Sequence, residues 1–325
     1  MPATDISNAT GSASRSRAIF VVGAGRSGTS AITRGLQALG VELGDNLKAP
    51  TDKNPTGFFE DRDLLRIAKR VRSELGLRTE SISLIDPPEW SKAEIGVLAD
   101  EAVATIQERF VQYPLWGFKY AQTLRMLPFW ETVAERAGID LNFVVAARNP
   151  LSVAQSRSKL DPLRGVQEKT DLEWLVNVVP YFRRMAAHRF VVVEYDLLME
   201  DPRTQLARMA ERLSIPMDAA AQRNTEVFVN EFLKPGMRHT RFMDEDLAQD
   251  RKLNPLVRDA YRWLRRLATD EAAADNGELW LDWSRIESQL DAHAPALRHL
   301  DYLESELRSR RAGPLGRLKA RLFPR

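Results

Sequence analysis

The sequence predicts an α/β protein in which helices cover both faces of a central parallel sheet, giving three layers, with a helical extension at the C-terminus. Three observations favour this fold. Short apolar runs recur along the chain and alternate with segments of helical periodicity. The first run passes through a Gly-rich turn into a helix. The 325 residues suffice for one large domain or two smaller ones, and they contain no apolar run near the length of a membrane span.

The first strand and the turn after it carry the strongest signal. Residues 18–22 are apolar, and the turn contains Gly23, Gly25 and Gly28. Glycines let an anion approach bare N–H groups, and the following helix directs its positive dipole end to the same point. The turn also holds hydrogen-bond donors: Arg26, Ser27, Thr29 and Ser30. We therefore predict the phosphate-binding loop of a P-loop-like fold, with a tight βα turn that binds no ligand as the alternative.

The turn departs from the nucleotide-binding pattern G-x-x-x-x-G-K-[ST] at one position. Gly23 and Gly28 fit the pattern, but Thr29 stands where the pattern requires Lys. That Lys reaches the terminal phosphates of ATP or GTP, whereas here the cation lies inside the loop, as Arg26. The loop is expected to bind a phosphate group rather than a nucleoside triphosphate with magnesium. Because Cys is absent and the four His are scattered, we expect no metal site.

Three further strands are predicted, and polar side chains stand at their ends. The strands are residues 115–119, which end at Lys119, residues 141–147, which precede Arg148, and residues 189–195, which contain Glu194. Parallel sheets bind ligands at the carboxyl ends of their strands, so these side chains should meet beside the Gly-rich loop. Helices are predicted at 61–75, 91–110, 197–213 and 250–267, and a helical hairpin or short coiled-coil seam at 279–307.

Charge is distributed unevenly along the chain. The net charge is +2, yet residues 308–325 contain seven cations and no acidic residue, which leaves about −5 for the rest. A nucleic-acid partner is therefore not expected. The basic tail could touch an anionic membrane surface or remain solvated.

These patterns suggest a division of the chain. We expect a disordered leader (1–17), an α/β domain (18–245), a helical extension packed on or beside it (246–307) and the basic tail (308–325). The leader lacks the apolar centre of a secretory signal, so we expect a cytoplasmic protein, peripheral at the membrane if the tail binds there. The C-terminal helices are candidates for contacts in a homo-oligomer.

Four motifs match a known family in the same order. They are GRSGTS at 25–30, RNPLSVAQS at 148–156, EYDLL at 194–198 followed by Asp201-Pro202, and FLKPGMRH at 232–239. On these motifs the chain resembles, over residues 18–240, the sulfotransferases that use 3′-phosphoadenosine 5′-phosphosulfate (PAPS). The loop at 25–30 is similar to the 5′-phosphosulfate loop in the Arg form of carbohydrate and protein-tyrosine members.

The resemblance implies an enzyme that moves the sulfuryl group from PAPS to an acceptor hydroxyl by in-line attack, without a metal, and releases 3′,5′-ADP. It also implies which residues bind PAPS: Gly25, Arg26, Ser27, Gly28, Thr29 and Ser30 at the 5′-phosphosulfate, Arg148 and Ser156 at the 3′-phosphate, and Arg238 and His239 in a closing loop. Physical reasoning agrees, because two anionic ends need two separate cationic sites.

The acceptor hydroxyl needs a base, and the resemblance points to Glu60. Asp61 is the close competitor, and either carboxylate could instead cap the following helix. His239 is a weaker candidate. Positive neighbours, Arg26 and Arg62, would keep Glu60 ionised.

Two cations are expected to stabilise the leaving phosphate. We assign Arg26 to the 5′-phosphate and the bridging oxygen, and Lys119 to the sulfuryl oxygens or the same bridge. The alternative for Lys119 is a side chain that merely extends from a strand end towards water. Positioning and charge stabilisation would then supply most of the catalysis.

The acceptor and two other functions remain open at this point. By analogy, an Arg-form loop and a Glu base favour a carbohydrate or glycolipid hydroxyl, which the loops at 45–56, 83–90 and 158–181 would select. A P-loop kinase or NTPase acting on a small molecule would need a Lys after Gly28. A non-catalytic protein could retain the fold and assemble through its C-terminal helices.

Overall fold

A four-stranded parallel sheet forms the centre of the structure, a computed structural model that describes residues 15–51, 57–234 and 242–311. Its strands are β1 (Arg17–Gly23), β2 (Leu115–Lys119), β3 (Asp140–Ala147) and β4 (Arg189–Glu194), in the order β2-β1-β3-β4. Each neighbouring pair runs parallel. The predicted α/β fold with a central parallel sheet is confirmed.

The strands are apolar because both faces of the sheet are covered. In β1, Ala18, Phe20 and Val22 enter the core on one face, whereas Ile19 and Val21 enter the core on the other. This alternation follows from the pleat of a strand, which points successive side chains to opposite faces. A strand covered on both sides therefore reads as one continuous apolar run.

Helices cover the sheet and continue beyond it. They are α1 (Thr29–Ala38), α2 (Arg62–Glu74), α3 (Ala93–Arg109), α4 (Leu127–Ala137), α5 (Pro150–Ser158), α6 (Gln167–Val178), α7 (Tyr195–Glu200), α8 (Pro202–Arg212), α9 (Ala219–Val227), α10 (Asp244–Gln249), α11 (Pro255–Ala268), α12 (Gly277–Ala292) and α13 (Ala294–Arg311). None of the helices within the described ranges is long and apolar enough to span a bilayer.

The segment predicted as one helix at 197–213 is in fact two helices. Tyr195, predicted to end a strand, instead begins α7, and α8 begins at Pro202. Proline fits the first turn of a helix but not its interior, because its ring removes a hydrogen-bond donor and blocks the preceding turn. Asp201 accepts a hydrogen bond from the Thr204 N–H and caps the new helix.

The chain leaves the neighbouring strands β1 and β3 towards opposite faces of the sheet. α1 packs on one face of the sheet, through Ile32 and Leu36, whereas α6 packs on the other face, through Trp174 and Leu175. In open α/β sheets such a divergence creates a binding crevice at the carboxyl ends of the strands. The Gly-rich loop and Arg148 border this crevice.

The C-terminal helices share the main core. α11 packs against β4, and Trp263 of this helix contacts Phe182 and two Trp side chains of α12, Trp280 and Trp283. These rings lie 4.6–5.4 Å from that of Trp263 between centroids, which is the range of favourable aromatic pairs. The predicted domain boundary at residue 245 stays a prediction.

The last described helix, α13, is fastened to the loop that follows α2. Asp301 is buried and accepts hydrogen bonds from Arg78 Nη2 at 3.2 Å and from Ser83 Oγ at 2.8 Å. Lys169 of α6 donates to Glu304 of α13 at 2.8 Å. Residues 77–86 are thereby held between α13 and the core.

Candidate functional site

The Gly-rich loop joins β1 to α1 as a tight turn. The Ser27 N–H donates to the Ala24 carbonyl at 3.2 Å, and Gly28 precedes α1 in the left-handed region with φ 85°. No side chain caps α1, whose first turn holds Thr29 and Ser30. The Ser27 hydroxyl is fully buried and has no hydrogen-bond partner within the described ranges. An uncapped helix start beside an unpaired hydroxyl fits an anionic group.

Three residues predicted for the phosphate sites meet across the crevice. Arg26 Nε donates to Ser156 Oγ at 3.1 Å, and Arg148 Nη1 donates to the Arg26 carbonyl at 3.1 Å. Desolvation of the guanidinium, and then the charge of Arg148, lower the pKa of Arg26. No carboxylate in the described part of the chain forms an ion pair with Arg26. An anion between these cations would be bound by charge-assisted hydrogen bonds.

The backbone of Arg26 is itself unusual. Its φ of 77° lies in the left-handed region, which costs a residue other than glycine about 1–3 kcal/mol. Such strain persists where the surrounding contacts fix the conformation, and it clusters at functional sites. The hydrogen bond from Arg148 to the Arg26 carbonyl is one contact that fixes it.

Tyr195 connects the two sides of the crevice. Its ring centre lies 4.4 Å from the Arg148 guanidinium carbon, a distance typical of cation–π contacts. The ring also lies against Gly28, where an added Cβ would come within 2.1 Å of Tyr195 Cδ2. The glycine is therefore required both by its positive φ and by the close approach of the tyrosine.

The predicted base and the predicted sulfuryl-site lysine form a buried ion pair at the end of β2. Lys119 Nζ donates to Glu60 Oε1 at 2.9 Å, and the two residues are only 4% and 8% exposed. Burial lowers the pKa of Lys119, and the Glu60 carboxylate opposes that shift. The alternative interpretation, in which Lys119 merely extends from the strand end towards water, does not fit this buried ion pair.

A second lysine, Lys48, contacts the other oxygen of Glu60, although no sequence motif indicates it. Its Nζ lies 3.5 Å from Glu60 Oε2 and 3.6 Å from the ring centre of Phe58. The Lys48 N–H also donates to the Glu60 carbonyl at 2.8 Å, beside a short antiparallel bridge. Arg26 and Arg62, the predicted positive neighbours of Glu60, form no ion pair with it among the described residues.

Asp61, the alternative to Glu60 as the base, caps the helix that follows. Its Oδ1 accepts from the Asp63 and Leu64 N–H groups, at 3.1 and 3.0 Å, and caps α2. Both of its oxygens also accept from Arg109, at 3.1 and 2.8 Å. The capping role that the sequence left open thus belongs to Asp61.

Glu194, at the end of β4, makes hydrogen bonds that stabilise the fold. It caps α7 by accepting from the Leu197 N–H at 2.9 Å, and it accepts from the Tyr261 hydroxyl at 3.2 Å. Burial, and then the charge of Asp196, raise its pKa to about 7. The remaining predicted site residues, Arg238 and His239, lie outside the described residues.

The chain matches a model of the sulfotransferase family over residues 18–219, which is more than half of its length. No match was found among curated proteins.

Three solved structures are similar to the chain at low identity. The sulfotransferase domain of the Synechococcus PCC 7002 olefin synthase is 17% identical over 86% of this chain and 97% of its own (TM-score 0.38). Sulfotransferase STF9 from Mycobacterium avium is 16% identical over 70% and 69% (TM-score 0.37). Retinol dehydratase in complex with androsterone and inactive cofactor PAP is 14% identical over 87% and 80% (TM-score 0.31). Similarities of this size carry no weight for function.

The family match begins at β1 and extends past α8, so it includes the Gly-rich loop, Glu60, Lys119, Arg148 and Ser156. It agrees with the resemblance that the four sequence motifs indicated. The chain therefore belongs to the sulfotransferase family, and the enzyme class predicted from its sequence, a PAPS-dependent sulfotransferase, is confirmed.

Proposed function

We propose that this sulfotransferase moves the sulfuryl group from PAPS to a hydroxyl of a carbohydrate or glycolipid and releases 3′,5′-ADP. One observation carries the proposal: Arg26, Arg148 and Ser156 meet at the ends of β1 and β3, while Glu60 and Lys119 meet at the end of β2. Adjacent strands thus bring an anion site and an acid–base pair to one edge of the sheet.

Two groups of residues would hold the two anionic ends of PAPS. The 5′-phosphosulfate end fits the loop from Gly25 to Ser30, because the buried Ser27 hydroxyl lacks a described partner and α1 lacks a side-chain cap. The 3′-phosphate fits Arg148 and Ser156. Arg238 and His239 remain proposed members of a loop that closes over the nucleotide.

When bound, PAPS supplies the sulfur–oxygen bond that breaks. Glu60 accepts the proton of the acceptor hydroxyl while the hydroxyl oxygen bonds to sulfur. The electron pair of the broken sulfur–oxygen bond stays on the 5′-phosphate. Arg26 and Lys119 stabilise the negative charge that develops there and on the sulfuryl oxygens. General-base assistance of this kind contributes about 10²–10⁴-fold in rate.

Lys48 would position the base from the acceptor side. Lys119 occupies Glu60 Oε1, so Oε2, which faces the half-exposed Lys48, is the oxygen left to receive the proton. Phe58 and Phe59 directly precede Glu60 and are half-buried. The Phe59 ring and the face of Phe58 that Lys48 does not cover would suit the apolar side of a sugar, which supports a carbohydrate or glycolipid acceptor. We also propose a cytoplasmic location.

Thermal unfolding tests the donor site without knowledge of the acceptor. Because 3′,5′-ADP binds the folded state, it should raise the melting temperature, whereas 5′-ADP and ATP with magnesium should not. Arg148→Ala and Ser156→Ala should lose the rise. Arg203→Ala, which removes an exposed ion pair with Glu226, is the control and should keep it. Stabilisation by ATP with magnesium alone would overturn the proposal and restore the kinase alternative.

The acceptor is tested by turnover. PAPS and the enzyme are incubated with a panel of glycosides, glycolipids, phenols and tyrosine peptides, and 3′,5′-ADP release is measured. Release with sugar hydroxyls supports the proposal. Release confined to phenols or tyrosine peptides refutes the acceptor class while leaving the donor site intact.

A further inference from the structure

Large apolar side chains stand exposed on two segments that contain none of the residues proposed to bind PAPS or to act in catalysis. We call them together the leucine surface: Leu160, Leu163, Val166, Leu300, Leu303 and Leu307. Leu163 is 76% exposed and Leu307 is 56% exposed. These six are half of the large apolar side chains that are exposed in the described ranges. Exposed apolar side chains that cluster, rather than scatter singly, mark interaction sites.

The two segments of the leucine surface lie side by side. Leu163 and Leu307 line one cavity of about 160 Å³, together with Arg164, Lys169, Glu304 and Arg308. On α13, Leu300, Leu303 and Leu307 recur at intervals of three and four residues, so they form one stripe along the helix. The stripe therefore continues across the cavity onto the loop at 159–166.

Both segments that carry the leucine surface are held in place by contacts with the rest of the protein. Arg164 donates to Glu173 at 2.6 Å, and Glu173, which is buried, also pairs with Arg157 of α5 at 2.8 Å. On the other segment, Asp301 and Glu304 fasten α13 to the core. The leucines thus face outward from well-packed elements and do not belong to a loop that could fold inward.

The cations that line the cavity are each paired with a carboxylate, Lys169 with Glu304, Arg164 with Glu173 and Arg308 with Glu80, and further cations lie beside the leucine surface. Lys159 and Arg310 are exposed, and neither forms an ion pair with a described residue. Residues 308–325 carry seven cations and no carboxylate, and three of these cations belong to the end of α13 while four follow it in the sequence. A second copy docked on this surface would bring these cations together, which is unfavourable. Anionic lipid headgroups complement them.

We propose that the leucine surface binds an anionic phospholipid bilayer, with the leucines in the headgroup–acyl boundary and the cations at the lipid phosphates. This combination of apolar burial and electrostatic attraction is the one that interfacial helices use. The binding does not depend on the proposed acceptor. It would hold α5, which carries Ser156, near the membrane, where the hydroxyl of a glycolipid is presented.

Vesicle sedimentation of the 325-residue protein tests this. Wild type should bind vesicles of 3:1 phosphatidylcholine and phosphatidylglycerol, bind pure phosphatidylcholine weakly, and lose binding as salt screens the charges. The double variant Leu163→Ser with Leu307→Ser should bind at least about tenfold more weakly. Both side chains are exposed, so the variant should keep its melting temperature and its response to 3′,5′-ADP.

A matched control removes two exposed apolar side chains elsewhere. Val97→Ser with Leu281→Ser, at residues that are 62% and 60% exposed, should bind anionic vesicles within about twofold of wild type. The proposal fails if wild type does not bind anionic vesicles, or if the double variant binds as well as wild type. It also fails if light scattering finds a dimer that the double variant dissociates, because the leucine surface would then join two copies.

Discussion

At the scale of single residues, the proposed chemistry depends most on the carboxylate of Glu60, which lysines contact at both oxygens. Glu60→Gln keeps the shape of the side chain but cannot accept a proton. We expect kcat with the best acceptor to fall by about 10²–10⁴-fold, while stabilisation by 3′,5′-ADP stays close to that of wild type. Glu74→Gln, an exposed carboxylate at the end of α2, is the control. Full activity of Glu60→Gln would move the base to Asp61 or His239.

Lys48 allows a separate test of how Glu60 is positioned. Lys48→Met removes the cation beside Oε2 and leaves the carboxylate to pair with Lys119 alone. We expect kcat to fall by about tenfold, with 3′,5′-ADP binding unchanged, and Lys48→Arg to restore most of it, because the charge returns. A general loss of stability in Lys48→Met, without a selective loss in kcat, would show that the lysine serves only the fold.

Gly28 is expected to tolerate no side chain. Gly28→Ala places a Cβ at positive φ and 2.1 Å from the Tyr195 ring, so either the ring or the loop must move. We expect a loss of about 1–3 kcal/mol in the free energy of unfolding and loss of 3′,5′-ADP binding. Gly277→Ala, where no atom lies within 4 Å of the added Cβ, should change stability little. Denaturant titration compares the two, and equal effects would contradict the role of Gly28.

The sequence reveals some of these residues and hides others for a physical reason. The Gly-rich loop, Arg148 and Ser156 lie in short continuous motifs whose local conformation brings their side chains together. Lys48 reaches Glu60 beside an antiparallel bridge between two loops, and no spacing rule reports such a pairing. The role of Tyr195 is hidden in a similar way, because the apolar run predicts that this residue ends a strand, whereas it begins α7.

At the scale of elements, the strands are predictable because each is a short apolar run, whereas some helices are not. The sequence pattern does not reveal α6, because this helix is buried on most sides and includes polar residues, such as Asp171 and Glu173, that make buried hydrogen bonds. Its apolar positions therefore show little helical periodicity. The helix predicted at 250–267 begins in the structure at Pro255, because proline fits the first turn of a helix.

The attachment of α13 predicts the effect of one substitution. Asp301→Ala removes the acceptor of hydrogen bonds from Arg78 and Ser83. We expect it to lower the free energy of unfolding by about 1–3 kcal/mol and to increase amide hydrogen exchange in residues 77–86. Asp291→Ala, an exposed carboxylate of α12, should do neither. Unchanged exchange in 77–86 would mean that α13 does not hold this loop.

At the scale of the whole molecule, buried carboxylates make stability depend on pH. Burial raises the pKa of Asp171 and of Glu194 to about 7, above their values in the unfolded chain. The folded state therefore binds more protons than the unfolded state between about pH 4 and 7, and its stability falls as pH rises through that window. When the pKa of a carboxyl differs by one between the folded and unfolded states, the free energy of unfolding changes by about 1.4 kcal/mol across the window.

Asp171→Asn tests this dependence. Asp171 accepts from the Asn254 N–H at 2.8 Å and from Gln167 Nε2 at 2.7 Å, and an amide can keep both contacts if Gln167 rotates. We expect the variant to lose less stability than wild type between pH 5 and 8, as measured by urea unfolding. Asp259→Asn, an exposed carboxylate, should follow wild type. Parallel pH curves for Asp171→Asn and wild type would contradict the assignment.

The position of Tyr195 has a consequence for ligand design. The ring touches Gly28 on one side of the crevice and Arg148 on the other. A fragment that restrains the remaining motion of the ring at one phosphate site would also restrain the guanidinium at the other, so part of the entropic cost of the second fragment is already met. Separate mimics of the two phosphate ends should therefore bind with positive cooperativity, and a single molecule that links them should bind more tightly than the sum of their binding free energies implies.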